Sequence, residues 1–139
     1  MKPVQIEREP APGDLEFLED QLNQFNMRIT GFHEYFPLAA FARDEQHQII
    51  AGISGGIWGG FCEIDFLWVH EDYRGQGYGS QLLAAAEAEA RQHDCTWMIL
   101  DTFSFQAPDF YPKFGYESTG MYPDCPTGYQ KHFFQKRLK

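Results

Sequence analysis

A glycine-rich turn is the part of the sequence best suited to bind an anion. Gly75, Gly77 and Gly79 stand at alternate positions after Arg74 and directly before an alanine-rich segment. Glycine lets backbone N–H groups approach a ligand closely, and the first turn of a following helix adds unpaired amides and roughly half a positive charge. The pattern therefore predicts an anion site, and the adjacent arginine favours a phosphate.

Three other interpretations of this turn differ in the ligand that it would bind. A triphosphate-binding P-loop requires Gly-Lys-Ser/Thr, and the turn ends in Gly79-Ser80 without the lysine. A dinucleotide fold stays open, because Asp101 ends the next predicted strand at about the distance of a ribose-binding acid. A structural turn without any ligand also stays open, although Arg74 has no use in such a turn.

Two carboxylates occupy the predicted strand that leads into the turn. Strict alternation over residues 61–69 places Glu63 and Asp65 on one face, about 7 Å apart, together with Leu67 and Val69. The opposite face is then predicted to be core and carries Cys62, Ile64, Phe66 and Trp68. Mutual repulsion and partial burial would raise the pKa of at least one carboxyl, which would make it a better general base.

The composition predicts one folded domain over residues 1–139, with 43% hydrophobic residues and a net charge of −9. The dispersed acidic residues disfavour nucleic acid and leave a cationic amine among the possible partners. The three cysteines and five histidines have neither disulfide nor metal-ligand spacing, so no metal is expected. Without a membrane span or a signal-peptide core, the sequence predicts a cytoplasmic protein and no membrane partner.

Periodicity predicts alternating strands and helices. An edge strand over residues 4–7 is followed by a helix capped by Asp14, whose apolar stripe contains Leu15, Leu18, Leu22 and Phe25. The glycines of residues 55–60 predict a bend or a bulge. The other predicted elements are a hairpin over residues 38–42 and 49–54, a helix over 80–93, a parallel strand over 96–101, a short helix over 107–114 and two final strands.

Residues 74–79 resemble the Arg/Gln-x-x-Gly-x-Gly/Ala signature of the GNAT superfamily of acetyl-CoA-dependent N-acyltransferases. Upstream, residues 64–69 resemble the strand that carries pantetheine in this family. Downstream, residues 105–116 resemble its second motif, A-x-x-F-Y-x-x-x-G-F/Y, although Pro108 and Pro112 depart from the commoner pattern. Residues 126–138 are similar to the closing strand of small, single-domain bacterial members, so the resemblance covers essentially the whole chain.

The resemblance implies a mixed α/β (α+β) fold. Its sheet would have six to seven mostly antiparallel strands with flanking helices, and a locally parallel, splayed pair at the coenzyme site. The implied activity is transfer of the acetyl group of acetyl-CoA to a primary amine by direct attack through a tetrahedral intermediate. The alternative is a catalytically inactive acyl-CoA-binding sensor or interaction module. The acceptor would be a small molecule or a peptide, and the protein a monomer or a homodimer.

The resemblance also implies roles for individual residues. Glu63 would be the general base, directly or through water, with Asp65 assisting, and Tyr111 would be the general acid toward the coenzyme sulfur. An amide near Leu67 or Trp68 would meet the oxyanion. The residues implied in coenzyme binding are Leu67, Trp68, Val69, Arg74, Gly75, Gln76, Gly77, Tyr78, Gly79, Ser80, Ala107 and Phe110. Acceptor contacts are expected from the loop over residues 26–37, namely from Arg28, His33, Glu34 and Tyr35.

Overall fold

The computed structural model describes all residues 1–139, which form two compact units, Met1–His33 and Glu34–Lys139. The first unit contains one helix, α1 (Pro12–Thr30). The predicted capping by Asp14 is wrong, because the N-cap is Ala11 and Asp14 lies inside the first turn. The predicted strand over residues 4–7 is also wrong, since this unit offers no second strand to receive its backbone hydrogen bonds.

The second unit is a six-stranded sheet in the order β1-β2-β3-β4-β6-β5. Its elements are β1 (Tyr35–Arg43), β2 (Ile49–Trp58), β3 (Phe61–Val69), α2 (Tyr78–Gln92), β4 (Trp97–Phe103), β5 (Glu117–Pro123) and β6 (Gln130–Arg137). Every neighbouring pair is antiparallel except β3 and β4. The predicted mixed sheet is confirmed, and the dinucleotide fold is excluded because that fold needs a mostly parallel sheet.

Helix α2 forms the crossover that makes β3 and β4 parallel, since a parallel pair cannot be joined by a tight turn. Its buried apolar residues are Leu82, Leu83, Ala86 and Ala90, and they share one core with residues of the sheet such as Ile53 and Met98. Neither α1 nor α2 combines the length and the apolar character that a membrane-crossing helix requires.

The parallel pair separates soon after it forms. Register partners are Phe61 with Trp97, Cys62 with Met98 and Glu63 with Ile99, and no pairing follows. The remaining parts of β3 and β4 diverge, which confirms the predicted splayed pair. The unpaired end of β3 leads toward the glycine-rich turn. The fold therefore brings this turn and the strand with the carboxylates to the same gap.

A β-bulge in β3 overturns the predicted alternation. Ser54 pairs with Phe66 but Gly55 pairs with Ile64, so Asp65 is the extra residue of the bulge. One extra residue reverses the faces of every side chain that follows it. Phe66 and Trp68, predicted as core, are therefore 75% and 47% exposed. In their place, Leu67 and Val69 pack against the buried core.

Gly55 makes the bulge possible. A Cβ atom at this position would lie 2.2 Å from the carbonyl oxygen of Glu63, so only glycine fits opposite the extra residue. A bend or a bulge was predicted within residues 55–60; the bulge lies beside the first of these residues, but its extra residue belongs to β3.

The second motif is shorter than predicted. Instead of a helix over residues 107–114, the chain forms one 3-10 turn, Tyr111–Phe114, which Gly115 ends with φ 89°. Pro112 lies in its first turn and lacks an N–H group, so it cannot donate the backbone bond of a longer helix.

Candidate active site

A cavity of about 850 Å³ lies at the opening between β3 and β4. It is lined by Asp65, Phe66, Leu67, Trp68, Val69, Tyr73, Arg74, Gly75, Gly77, Tyr78, Gly79, Ser80, Asp101, Thr102, Phe105, Gln106, Ala107, Phe110, Tyr111, Lys113 and Phe114. All the predicted catalytic and coenzyme-binding residues are among them except Glu63 and Gln76. Glu34 and Tyr35 do not line the cavity, and Arg28 and His33 belong to the other unit.

The glycine turn has the conformation that an anion site needs. Gly75 and Gly77 have φ angles of 78° and 92°, which other residues rarely adopt. Gly77 is the N-cap of α2, and no side chain caps this helix end. The first-turn amides of α2 therefore have no acceptor from a capping side chain, and the residues present fit a diphosphate at this end of the helix.

Arg74 is held in place at the mouth of the turn. Its Nε donates a hydrogen bond of 3.0 Å to the carbonyl oxygen of Val69, the last residue of β3. The side chain of Gln76 instead points back toward the turn, where Nε2 lies 3.5 Å from the carbonyl oxygen of Asp72. Only the arginine of this pair lines the cavity.

Gly79 allows the second motif to approach α2. A Cβ atom at this position would lie 3.2 Å from Cζ of Phe110, closer than ordinary van der Waals contact. Phe110 in turn packs against Tyr111 with ring centroids 5.2 Å apart. The glycine therefore sets how close the turn that carries Tyr111 can lie to the helix N-terminus.

The backbone of β3 offers hydrogen-bond donors to the gap. The N–H of His70 donates to the carbonyl oxygen of Ile50 on β2 at 2.8 Å. Along a strand, the N–H groups of successive residues point to opposite sides. The N–H of Trp68 therefore points to β2, as that of His70 does, whereas the N–H of Leu67 points into the gap. Of the two amides that the sequence left open for the oxyanion, the Leu67 amide has the suitable direction.

Three carboxylates cluster where the strands separate. Glu63 belongs to the last paired position, and Asp65 and Asp101 stand on the two diverging strands and line the cavity. Burial raises the pKa of Glu63 above its usual value, and the negative charges of Asp65 and Asp101 raise it further. A carboxyl with a raised pKa binds a proton more readily, as a general base requires.

Tyr111 is a buried phenol on the wall of the cavity. It is 6% exposed, and its ring packs against those of Phe110 and Tyr116, with the Tyr116 centroid 5.8 Å away. Burial, together with the charge of Asp101, raises its pKa to about 12. The hydroxyl therefore keeps its proton at neutral pH and is available as a hydrogen-bond donor.

Part of the cavity wall was not predicted from the sequence. The unpredicted lining residues are Phe66, Tyr73, Asp101, Thr102, Phe105, Gln106, Lys113 and Phe114. Asp101 could have been found, because the family resemblance implied a splayed strand pair and Asp101 ends the second strand of that pair. Lys113 gave no local signal, since a single lysine in a short turn is usually a solvated side chain.

Comparisons with known proteins agree with this arrangement. The profile of the acetyltransferase (GNAT) family matches residues 4–116. A blasticidin-S acetyltransferase from Streptomyces morookaense is 37% identical over 116 residues, which cover 81% of this chain and 85% of that protein. The 1.9 Å crystal structure of an acetyltransferase from Bacillus cereus superposes with a TM-score of 0.84 at 36% identity, covering 96% of this chain and 98% of that chain.

A structure from Bacillus anthracis, described as a streptothricin acetyltransferase, was solved in complex with acetyl coenzyme A. It superposes with a TM-score of 0.66 at 22% identity and covers 75% of this chain and 64% of that chain, so it shows the shared fold alone.

A splayed strand pair beside an uncapped helix N-terminus, on a mixed sheet of this order, defines an acyl-CoA-dependent N-acyltransferase. The chain belongs to the acetyltransferase (GNAT) family. Acetyl-CoA is the cosubstrate of this family. Arg74 and Lys113 line the cavity together with the uncapped end of α2, and these donors and positive charges fit the phosphates of such a coenzyme.

Proposed function

We propose that this chain transfers the acetyl group of acetyl-CoA to a primary amine of a small, cationic acceptor. The observation that carries the proposal is the distribution of charge in the cavity. Arg74 and Lys113 stand beyond the strands and suit an anionic coenzyme, whereas Asp65 and Asp101 stand on the diverging strands and suit a protonated amine. The relative from Streptomyces morookaense is named for a small-molecule acceptor, which is consistent with this class.

The acceptor amine must lose a proton before it attacks, because an unperturbed amine has a pKa near 10. Glu63 does not line the cavity, whereas Asp65 does. In the proposal, Asp65 orients the ammonium group and Glu63, whose pKa is raised, accepts the proton through a water molecule. Both carboxylates are therefore required, in different roles.

Bound acetyl-CoA supplies the activated thioester. The nitrogen–carbon bond forms, the nitrogen loses its second proton to water, and the carbon–sulfur bond breaks with its electron pair left on sulfur. The proton on Glu63 returns to solvent. The Leu67 amide donates to the carbonyl oxygen as negative charge develops on it, an interaction that strengthens in the transition state.

Tyr111 acts on the leaving sulfur. With a pKa of about 12 it is a weaker acid than an ordinary thiol, whose pKa is near 8.5. Complete proton transfer to the thiolate is therefore uphill, and the role we propose is donation of a hydrogen bond to the departing sulfur. The thiolate then takes its proton from solvent.

In the proposed mechanism the amine attacks the thioester directly, without an acyl-cysteine intermediate. The thiol nearest in sequence to the base is Cys62, which is 0% exposed, and burial raises its pKa to about 12. A thiol in this state is neither ionised nor accessible, so it cannot serve as the nucleophile.

The test is an amine panel with acetyl-CoA, read by release of free thiol and by the mass gain of one acetyl group on the acceptor. The panel holds monoamines, diamines, aminosugars, amino acids and blasticidin S. We expect transfer to cationic amines, with amino acids disfavoured by their carboxylate. Thiol release that never exceeds the rate without amine would refute the proposal, and transfer to neutral or anionic amines alone would refute the acceptor class.

Asp101→Asn provides the matched comparison within this test. It removes one carboxylate from the cavity wall but leaves Glu63 and Asp65 in place. We expect KM for dicationic acceptors to rise several-fold and KM for acetyl-CoA to stay unchanged. Equal KM values for dicationic acceptors would remove Asp101 from the acceptor site.

A further inference from the structure

Two exposed aromatic rings accompany the carboxylates of the cavity. Phe66 follows Asp65 directly on β3, and Phe105 lies in the turn that leaves β4, four residues after Asp101. Both phenylalanines line the cavity, and they are 75% and 55% exposed. Exposed apolar rings are unfavourable in water, and a ligand site typically combines aromatic walls with a few polar groups. The rings therefore indicate contact with an apolar group of a ligand whose polar group meets the carboxylates.

The aromatic rings and Asp101 lie on the same face of the sheet. Buried residues alternate along β4, and Leu100 belongs to the core that α2 covers. Asp101 and Phe103 follow at odd spacing and point to the opposite face. On β3, Phe66 is exposed while its neighbour Leu67 packs against the same core. A ligand on the face of the sheet away from α2 would therefore meet a carboxylate and aromatic rings together.

The ring of Phe105 is exposed, but neighbouring rings fix its orientation. It stacks on the ring of Phe103, with centroids 5.3 Å apart and an angle of 8° between the planes. It also meets the ring of Tyr129 at 78°, with centroids 5.0 Å apart. Parallel offset and perpendicular arrangements are those that aromatic pairs prefer. A ligand group that packs on Phe105 therefore finds a surface that is already ordered, which reduces the entropic cost of binding.

The turn that carries Phe105 is itself held by hydrogen bonds. Oε1 of Gln106 accepts a bond of 2.8 Å from the N–H of Phe103. The N–H of Ser104 donates to the carbonyl oxygen of Gln130 on β6 at 2.8 Å, and the N–H of Gln130 donates to Oγ of Ser104 at 3.0 Å. A side chain on such a turn keeps a defined position relative to the end of β4, as a selective binding site requires.

Lys131 on β6 shows that this part of the sheet suits a cation. Its Nζ lies 3.9 Å from Oδ1 of Asp101, and 5.9 Å and 5.7 Å from the ring centroids of Phe103 and Phe133. Both ring distances lie within the range of a cation–π interaction, which extends to about 6 Å. The distance to Asp101 is longer than a hydrogen bond, so the carboxylate is still able to accept one from a ligand.

We infer that the acceptor carries a planar aromatic ring close to its ammonium group, and that Phe105 selects this acceptor by packing against the ring. The inference rests on the proposed function, because it narrows the acceptor from a cationic amine to a cationic amine with an aromatic ring. A flat ring can stack on Phe105, whereas a puckered aliphatic ring of similar size cannot. Phe105 is thus a residue that determines specificity and takes no part in proton transfer.

The test compares phenethylamine with cyclohexylethylamine as acceptors, read by release of free thiol and by the mass of the product. Both are primary amines with the same charge and the same two-carbon spacer, and they differ in the flatness of the ring. We expect kcat/KM of the native enzyme to be about 3- to 10-fold higher for phenethylamine. Phe105→Leu should remove this preference and leave KM for acetyl-CoA unchanged, whereas Phe105→Tyr should retain the preference.

Phe41→Leu is the matched control, because Phe41 is 51% exposed but does not line the cavity. Its preference between the two amines should equal that of the native enzyme. The same kcat/KM for both amines in the native enzyme would overturn the inference, and so would a preference that persists in Phe105→Leu. An equal loss for both amines in Phe105→Leu would overturn it as well, since the ring would then contact the ammonium group.

Failure of this inference is distinguishable from failure of the proposed function. If other cationic amines are acetylated but neither of the two probes is, the aromatic acceptor is wrong and the proposed function stands. A rise in KM for acetyl-CoA as the only effect of Phe105→Leu would assign Phe105 to the coenzyme and overturn the inference alone. If no amine of any kind is acetylated, the proposed function fails and this inference fails with it.

Discussion

The Tyr116 hydroxyl donates a buried hydrogen bond of 2.9 Å to Oε2 of Glu87, and this bond ties helix α2 to the segment after the Tyr111 turn. Lys136 on β6 donates to the other carboxylate oxygen at 2.7 Å. Glu87 is 6% exposed, so a carboxylate joins three elements inside the unit. The N-terminus of α2 carries the amides that we propose to bind the coenzyme, and the turn carries Tyr111. This junction therefore connects the two parts of the proposed site.

Removing this carboxylate should destabilise the fold. Glu87→Ala leaves the Tyr116 hydroxyl and the Lys136 ammonium without their partner. We expect a loss of about 2–4 kcal/mol in the free energy of unfolding, somewhat less than for fully buried pairs, because 21% of the Lys136 side chain is exposed. Urea denaturation measures it. Glu89→Ala, on an exposed position of α2, is the control and should change stability by less than about 0.5 kcal/mol.

Because of the bulge at Asp65, substitutions of Ile64 and Phe66 on β3 should differ in their effect on stability. Ile64→Ala should cost about 2–4 kcal/mol, because Ile64 is 5% exposed. Phe66→Ser removes a larger side chain but should cost less than about 1 kcal/mol, since Phe66 is 75% exposed. Urea denaturation compares the two variants. A Phe66→Ser variant as unstable as Ile64→Ala would show that strict alternation holds and that the bulge is absent.

Ionisation of Glu63 should set the acid limb of the pH profile of kcat/KM. Its pKa is raised by burial first, and then by the charges of Asp65 and Asp101. The base is active when deprotonated, so kcat/KM rises with pH through this pKa. Asp65→Asn removes a neighbouring negative charge, lowers the pKa of Glu63 and should move the limb to lower pH by up to about one pH unit.

Glu63→Gln should remove that limb and lower kcat by about 100-fold or more. Glu71→Gln, an exposed acid that does not line the cavity, serves as the control for the change in net charge. An acid limb that persists unshifted in Glu63→Gln would assign the titration to another group.

Tyr111→Phe should lower kcat by about 10- to 100-fold without weakening acetyl-CoA binding. The loss should shrink with an acetyl thioester of a more acidic thiol, because such a thiolate leaves without help. Since the pKa of Tyr111 is about 12, the native enzyme should show no loss of activity from this group below about pH 11. If kcat fell equally with acetyl-CoA and with the thioester of the more acidic thiol, the role of Tyr111 would be packing and not assistance to the leaving sulfur.

Arg74→Met should weaken coenzyme A binding by about 10- to 100-fold, because a charge-assisted hydrogen bond contributes about 1.5–3 kcal/mol. Calorimetry with coenzyme A measures the change. Acetyl-pantetheine lacks the diphosphate and is the control ligand, so its KM should be the same in both proteins. A matching loss for both ligands would show that Arg74 supports the end of β3, through its bond to Val69, and not the phosphates.

The sequence alone was sufficient for features that depend on local backbone preference. The positive φ angles of Gly75 and Gly77 and the alanine-rich helix could be predicted, because glycine conformation and helix propensity are local properties, although α2 begins at Tyr78, two residues before the predicted start. The family resemblance added the mixed sheet and the splayed pair, which the structure confirms. Of the residues implied in coenzyme binding, all but Gln76 line the cavity, while their contacts with a coenzyme stay a prediction.

On the acceptor side of the cavity, where Asp65 and Asp101 lie, the directions of side chains and amides depend on the tertiary structure. The period of a strand is two, so the single extra residue at Asp65 reversed the faces of Phe66 and Trp68, and only the pairing with β2 reveals that residue. The same pairing directs the Leu67 amide, and not that of Trp68, into the gap. Asp101 reaches the same cavity as Asp65 from a strand distant in sequence, and such contacts depend on sheet order, which no local pattern encodes.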